Sequence, residues 1–451
     1  MYFIGGVLLL LILLFFLIRI PAVQNWASQK TVSWLSTKLE TRVELDRVDI
    51  DLLSHLVFEG LYIEDQHQDT LLYAGRFELN IGSINPINKN IRLKNILIKD
   101  GVVNINRTLP DSLYNFSFIT EAFSSKKKNI VVDTTEPKSS AAAFDFHLNK
   151  ISVENTRFKF RNDVGAEEYA AYIGNTEILI NRIDLEDEIL ALEKIELDQV
   201  EIKYTSLYDT IPNIHEESFD TIHIAVGNWE IETTQLLLKD CAFAYFSENA
   251  TSQSTGMNFS DLDFTGININ MSDILYAGDS VFADINQIAF KDKSGFELDT
   301  FKTKLLFSSY EITCNQLKIV TPNSHIQQQF AMTFNTLNDF DRLYSDIRLH
   351  ADLVDAFIST KDIAYFTSSL KDIDELLSIT STVSGPISSL KLRETELSVG
   401  DIAGLEGNIT VRGLPNIDET FLDVELDPLY ANMAQLDDLI GSGTIPEEIK
   451  N

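Results

Sequence analysis

Cysteine is nearly missing from this chain: Cys241 and Cys314 are the only two among 451 residues. Two thiols cannot build a disulfide scaffold or a thiolate zinc site, so stability must come from packing and hydrogen bonding. Positive charge is also scarce, with 36 Lys+Arg against 68 Asp+Glu and a formal net charge of −32. Phosphate repels such a surface, which makes nucleic acid a poor partner and keeps the bulk of the body off anionic headgroups. The sequence also lacks an HExxH, a phosphate loop and a nucleophile elbow. Seven histidines are scattered along it; His215-Glu216-Glu217 with His223 reads as polar residues rather than a metal site. The acidic runs Asp184 to Glu188 and Asp372 to Glu375 read as solvated faces rather than calcium ligands. The expectation is no catalytic residue, no metal, no cofactor and no enzyme.

What is present is apolar. Hydrophobic residues make up 44%, with 28 Phe and 14 Tyr, too many for a disordered chain. At this length two to four domain-sized units are expected, unless the fold is an open-ended repeat. Phe3 to Ile18 is an uncharged run of sixteen residues, FIGGVLLLLILLFFLI. A span of about 19 residues reaches ~28 Å, near the hydrocarbon thickness of a bilayer. No basic residue precedes the run and no small-x-small site follows it, so a retained anchor is expected rather than a cleaved signal. Phe3, Ile4, Leu8, Leu11, Phe15, Phe16 and Ile18 would face lipid. The flanking charges leave the orientation open. Pro21 to Glu40 follows as an amphipathic helix, with Val23, Trp26, Ala27, Trp34, Leu35 and Leu39 assigned to one face. That face would touch the membrane interface, cap the first sheet, or both.

From Arg42 onward the apolar period changes from 3.6 to 2, the signature of strands with one apolar face. Turn-formers every 8 to 12 residues imply about 25 strands. A repeat runs through them. Ile96-x-Ile98 with Val103-x-Ile105 recurs as Ile151-x-Val153 with Phe158-x-Phe160. It recurs again as Ile195-x-Leu197 with Ile202-x-Tyr204, and as Leu236-x-Leu238 with Phe243-x-Tyr245. The first and third members are seven residues apart in every copy, and the copies are spaced by 55, 44 and 41. Position five is Asp100, Asn155, Gln199 or Asp240. Read as a hairpin turning at positions five and six, the unit pairs Ile98 with Val103 and puts all sixteen apolar side chains on one face. Glu154:Arg157 and Glu196:Lys203 would pair on the other.

Only three helical stretches are expected after residue 40: Asn115 to Phe123, Thr360 to Ser378 capped by Ser359 and Asp362, and Leu429 to Ile440. The second carries the stripe Ile363, Phe366, Leu370, Ile373 and Leu377. Three short helices cannot cover so long an apolar face. The sheet either closes as a barrel, sandwich or solenoid, or curls into a trough whose face meets something else. The division expected is an anchor (1–20), an amphipathic helix (21–40), a first β segment (41–123) and a polar linker (124–143). Central repeats (144–350), a helix insertion (351–378) and a further repeat (379–451) complete it.

The segments IPAVQNWASQKTVSWLSTKLETRVELDRVDID, GLYIEDQHQDTLLYAGRFELNI, LKNILIKDGVVNINR, DSLYNFSFITEAF, ISVENTRFKFRN, STKDIAYF and ITSTVSGPISSLKLRETELSV…LEGNITVRGLPN together resemble the AsmA/TamB-like family of envelope proteins. The resemblance implies an inner-membrane, single-pass protein with its body in the periplasm. It implies an elongated, twisted, open β-trough of repeated hairpins with an apolar lining. It further implies phospholipid traffic between the membranes, or support of outer-membrane protein assembly with a barrel partner. The family's partner-engaging C-terminal domain has no counterpart here, so this chain is expected to be a portion of a longer one. Two other readings stand beside it: a surface adhesin or β-solenoid binding module, and a carbohydrate-active β-helix enzyme. Co-purification of phospholipid, read by native mass spectrometry, would separate them.

Overall fold

The computed structural model describes residues 21–51, 54–85, 90–109, 113–123, 145–185, 187–207, 229–250, 253, 256–367, 370–414 and 419–440. The anchor positions Phe3 to Ile18 and the 124–143 linker lie outside them. Among the described residues no helix is long and apolar enough to cross a membrane.

Among the described residues the chain is mainly β, with nineteen strands in one sheet. It divides into two compact units, the first holding 1–184, 191–209 and 241–249, the second 185–190, 210–240 and 250–451.

In the first unit, helix α1 (Pro21–Leu39) precedes β1 (Val43–Glu44), β2 (Arg47–Asp51), β3 (His55–Glu64), β4 (Thr70–Asn85) and β5 (Asn90–Arg107). Helix α2 (Ser117–Phe123), β6 (Asp145–Asn162) and β7 (Glu167–Asp184) follow, with most of β8 (Ile189–Ser206) and the second half of β9 (Glu230–Ser247). β3 takes β1 and β2 on one side and β4 on the other, and β4 takes β5, all antiparallel. β5 and β6 are parallel, and β6 and β7 antiparallel.

Each repeat copy lies inside one uninterrupted strand (β5, β6, β8 or β9), so the expected hairpin does not form. Position five takes a left-handed backbone instead: φ is 54° at Asp100, 43° at Asn155, 54° at Gln199 and 48° at Asp240. Ile98 and Val103 are five apart, which in a regular strand puts them on opposite faces. One left-handed residue between them resets the alternation, as in a β-bulge. The reset is visible at Gly101, where an added Cβ would sit 3.4 Å from Ile98 Cγ2. A tight turn at Gln199-Val200 would strain the β-branched Val200, whereas here Gln199 alone takes the positive φ. Position six then points into the tightest part of the sheet. Gly101 is buried, and Thr156, Val200 and Cys241 are 4%, 6% and 4% exposed.

The expected hairpin ion pairs are also replaced. Glu154 binds Lys99 on the adjacent strand at 2.9 Å, and the Arg157 guanidinium lies 5.9 Å from the Tyr172 ring. Glu196 pairs with Lys194 on its own strand.

Helix α1 has two faces where one was expected. Leu39 and Ser28 are buried and Val32 and Leu35 half-buried, whereas Trp26 and Trp34 are 63% and 56% exposed on another side. The helix ends at Glu40, whose φ of 53° breaks the spiral, and the Ser36 hydroxyl accepts the Val43 amide at 3.1 Å.

The second unit is an antiparallel meander of β10 (Asp261–Ala277), β11 (Ser280–Asp292), β12 (Glu297–Phe307), β13 (Glu311–Val320), β14 (His325–Thr333), β15 (Arg348–Ser359), β16 (Leu376–Pro386), β17 (Ser389–Val399), β18 (Ala403–Arg412) and β19 (Phe421–Ala431). The same device recurs here. Gln316, Asp355 and Glu394 have φ of 55°, 48° and 50°, and the next residues Leu317, Ala356 and Thr395 are 7%, 0% and 1% exposed.

The helix expected over Thr360 to Ser378 is only α3 (Thr360–Ala364), because Leu376 and Leu377 enter β16 and pair with Ser359 and Ile358. Its 3.6-residue stripe loses to a ladder of backbone hydrogen bonds. Ser359 does cap α3, accepting from the Lys361 amide at 3.3 Å. Asp362 does not complete a capping box. It accepts from Thr321, Asn323 and Ser324 and pins the β13–β14 turn. The last helix, α4 (Met433–Ile440), begins four residues later than expected because Leu429 belongs to β19.

Asp339 gives this unit a pH signature. The Asn335 amide (2.7 Å), then burial opposing it, then the Thr336 amide and hydroxyl together hold its carboxyl below the usual range. A depressed folded pKa stabilises above the ordinary carboxylate range, and that stability is lost as pH falls through the folded value. Asp339→Asn should therefore shrink the drop in urea midpoint between neutral pH and about pH 3. An unchanged drop would show that Asp339 does not contribute to it.

Candidate functional site: an apolar face and its aromatic ladder

Strand register joins the apolar positions of the first unit into rows. Directly opposed residues share a face. Ile50, Leu56, Leu79, Ile96, Ile151 and Ile178 form one row across β2 to β7. Val48, Phe58, Phe77, Ile98 and Val153 form the next, with the Phe58 and Phe77 rings 6.0 Å apart. Beyond the left-handed positions, Ile63, Leu72, Val103, Phe158 and Ala171 continue the face. Ile105, Phe160 and Tyr169 close it.

The repeat therefore identifies true equivalents: Ile96, Ile98, Val103 and Ile105 sit beside Ile151, Val153, Phe158 and Phe160. Ile195, Leu197, Ile202 and Tyr204 lie on β8; Phe243 and Tyr245 lie on the first unit's half of β9, Leu236 and Leu238 on the second unit's half. Fifteen of these sixteen residues are half-buried and Ile202 is 39% exposed, so none is sealed into a closed core.

The alternate residues carry charge. Glu59, Arg76, Lys99 and Glu154 stand opposite one another in that order. Arg76 bonds Glu59 at 3.3 Å and Lys99 bonds Glu154 at 2.9 Å. Arg161 does the same with Glu168 at 3.0 Å, beside Phe160 and Tyr169 on the apolar side. These ion pairs distinguish the alternate face from the apolar rows, although Val57 and Leu97 also fall on it, opposite Glu78.

At one end of the face the rings stack into a ladder. Tyr114 lies 6.2 Å from Phe160, Phe160 5.8 Å from Tyr169, Tyr169 4.7 Å from Tyr204 and Tyr204 5.5 Å from Tyr245. The last two pairs are nearly parallel, at 22° each. Glu167 accepts the Tyr169 hydroxyl at 3.3 Å. Burial first, and then the Glu167 carboxylate, push both the Tyr169 and Tyr204 phenols above their ordinary value, so they stay protonated donors. A row of rings with hydroxyls at their tips is apolar on its body and polar at its rim.

A cavity of about 490 Å³ opens at the Tyr114 end, between the last turn of α1, α2 and the β3–β4 turn. Lys38, Gln66, His67, Asn106, Tyr114 and Glu121 are among its walls. Asn115 fixes the local backbone, donating to Asp65 at 3.0 Å and to the Asn104 carbonyl at 3.1 Å and accepting the Asn106 amide at 3.0 Å.

The four repeat copies end at β9 and do not extend into the meander of the second unit. There Ala283, Leu305, Cys314, Phe330, Ala351, Val383, Leu392, Ile409 and Val424 align across nine strands in one row. The available signal was an acidic or amide residue followed by a buried one (Gln316-Leu317, Asp355-Ala356, Glu394-Thr395). Tyr169 was also missed, because it reaches the ladder through register and not through the repeat.

Among the described residues no cluster of His, Cys, Asp or Glu could hold a metal ion. No protein-family model matches the chain, and no curated protein matches it.

Proposed function

We propose that this chain is the membrane-anchored, periplasm-spanning β-trough of an envelope protein like those of the AsmA/TamB-like family. In this reading it conducts phospholipid between the inner and outer membranes. Support of outer-membrane protein assembly with a barrel partner belongs to the same reading. The observation that carries the reading is the apolar face: rows of Ile, Val, Leu and Phe, half-buried and backed by an ion-paired face. Moving a sixteen-carbon acyl chain into water costs ~12 kcal/mol at about 0.8 kcal/mol per methylene. Apolar rows continued from strand to strand remove most of that cost, while the headgroup stays in water. The net charge of −32 fits this division, because it leaves the ion-paired face and loops to carry solubility.

Photo-crosslinking tests the reading on the full chain. A benzophenone side chain at Phe158 or Ile202 should capture phospholipid in cells. The same probe at Lys159 or Lys203, one residue on and across the sheet, should not. Capture only at the lysines would reverse the face assignment, and capture at none of the four would remove the conduit.

A further inference from the structure

We infer that helix α1 docks on an anionic lipid surface through one exposed stripe: Trp26, Lys30, Trp34 and Lys38. This rests on the membrane anchorage in the reading above, but not on lipid conduction. The four residues are spaced i, i+4, i+8 and i+12, so they follow one slowly turning line along the helix. All four are exposed, the tryptophans by 63% and 56%. The side of α1 that meets the sheet is a different one, marked by Ser28, Val32, Leu35 and Leu39.

Charge decides the occupant. The nineteen residues of α1 contain no Asp or Glu, although the whole chain carries 68 against 36 Lys+Arg. A solvated helix of so acidic a chain would be expected to share that excess. Alternating tryptophan and lysine instead matches the boundary of a bilayer, with indoles at the glycerol level and ammonium groups on phosphate. The stripe also starts eight residues after the uncharged run that ends at Ile18. Its far end has a second role. Lys38 is a wall of the cavity that Tyr114 closes, and Tyr114 is the first rung of the aromatic ladder. A headgroup held at the stripe would therefore stand at the mouth of the apolar face.

Trp229→Phe leaves Trp26 and Trp34 as the only tryptophans in the full chain, and they are excited selectively over its tyrosines. This variant is reconstituted into vesicles of phosphatidylcholine with or without phosphatidylglycerol, carrying lipids brominated near the headgroup end of the tail. Emission should shift to the blue and be quenched on the anionic vesicles. Lys30→Gln and Lys38→Gln should each move the docked-to-free ratio about five-fold toward free there, with no change on phosphatidylcholine. Unquenched emission on anionic vesicles overturns the docking. Equal quenching on both vesicles, or no effect of the lysines, overturns the anionic selectivity. Quenching with no lipid captured at Phe158 would keep this docking and lose the conduit. Capture at Phe158 with unquenched tryptophans would do the reverse.

Discussion

Replacing Val103 and Ile202 together by aspartate should slow phospholipid transfer between donor and acceptor vesicles about a hundredfold, with the circular dichroism of the chain unchanged. The size follows from the route. A carboxylate on the wall holds water, and a passing acyl chain must leave the apolar surface over about four methylenes. That is ~3 kcal/mol of added barrier, or about two decades in rate. The fold should survive because neither residue fills a sealed core: Ile202 is 39% exposed and Val103 only half-buried. Lys203→Asp is the parity control. It places the same carboxylate one residue on, at an exposed position across the sheet, and should leave transfer within about twofold of the parent. Unaltered transfer in the double variant would mean that lipid takes another path.

The control works only because side-chain parity is known, and parity is where sequence and structure part. The seven-residue spacing found the right equivalents: Ile96 does stand beside Ile151, and Ile105 beside Phe160. The hairpin expected as the reason for a shared face does not form, and a left-handed residue resets the alternation within β5 and β6 instead. An odd spacing between same-face residues has two solutions, a reversal of the chain or one left-handed residue within a strand. Composition at position five does not separate them, since Asp and Asn favour both. Position six does. A type I′ reversal needs φ > 0 at both central positions, which Val200 and Thr156 resist, and a type II′ reversal wants glycine at the first, which no copy has. Small or compact side chains at position six in all four copies (Gly101, Thr156, Val200, Cys241) were the legible sign of a tight crossing point.

Other elements were not legible for different reasons. The stripe from Ile363 to Leu377 has helical periodicity, but its last members are held by pairing with β15, a partner that local pattern does not contain. The aromatic ladder depends on the register of β6 and β7, which sets Tyr169 beside Phe160 although the two belong to no shared motif. The single apolar face expected of α1 grouped Trp26 and Trp34 with Leu35 and Leu39. Its two tryptophans lie on the exposed side, and the sheet takes Leu35 and Leu39 instead.

Gly174→Ala should destabilise the first unit by about 1–3 kcal/mol, against the usual sign of such a change. In an ordinary strand, glycine costs conformational entropy and alanine restores roughly half a kcal/mol or more. Gly174 is not ordinary. It lies between Ile173 and Asn175, whose partners Thr156 and Glu154 flank the left-handed Asn155. A Cβ there would stand 2.7 Å from the Gln199 carbonyl oxygen and 2.9 Å from that of Asp198. Both are backbone atoms on β8, so no rotamer change relieves the contact. The strands would have to part, at the place where Thr156 and Val200 are buried. Larger residues should follow the same order, with Gly174→Val worse than Gly174→Ala. Hydrogen exchange of the β6, β7 and β8 amides reads the effect locally: protection should fall there while β13 to β18 keep theirs. If alanine instead raises protection, the crossing of β7 and β8 is not close-packed. The left-handed residues would then be tolerated defects and not the device that keeps one face apolar along β5 and β6.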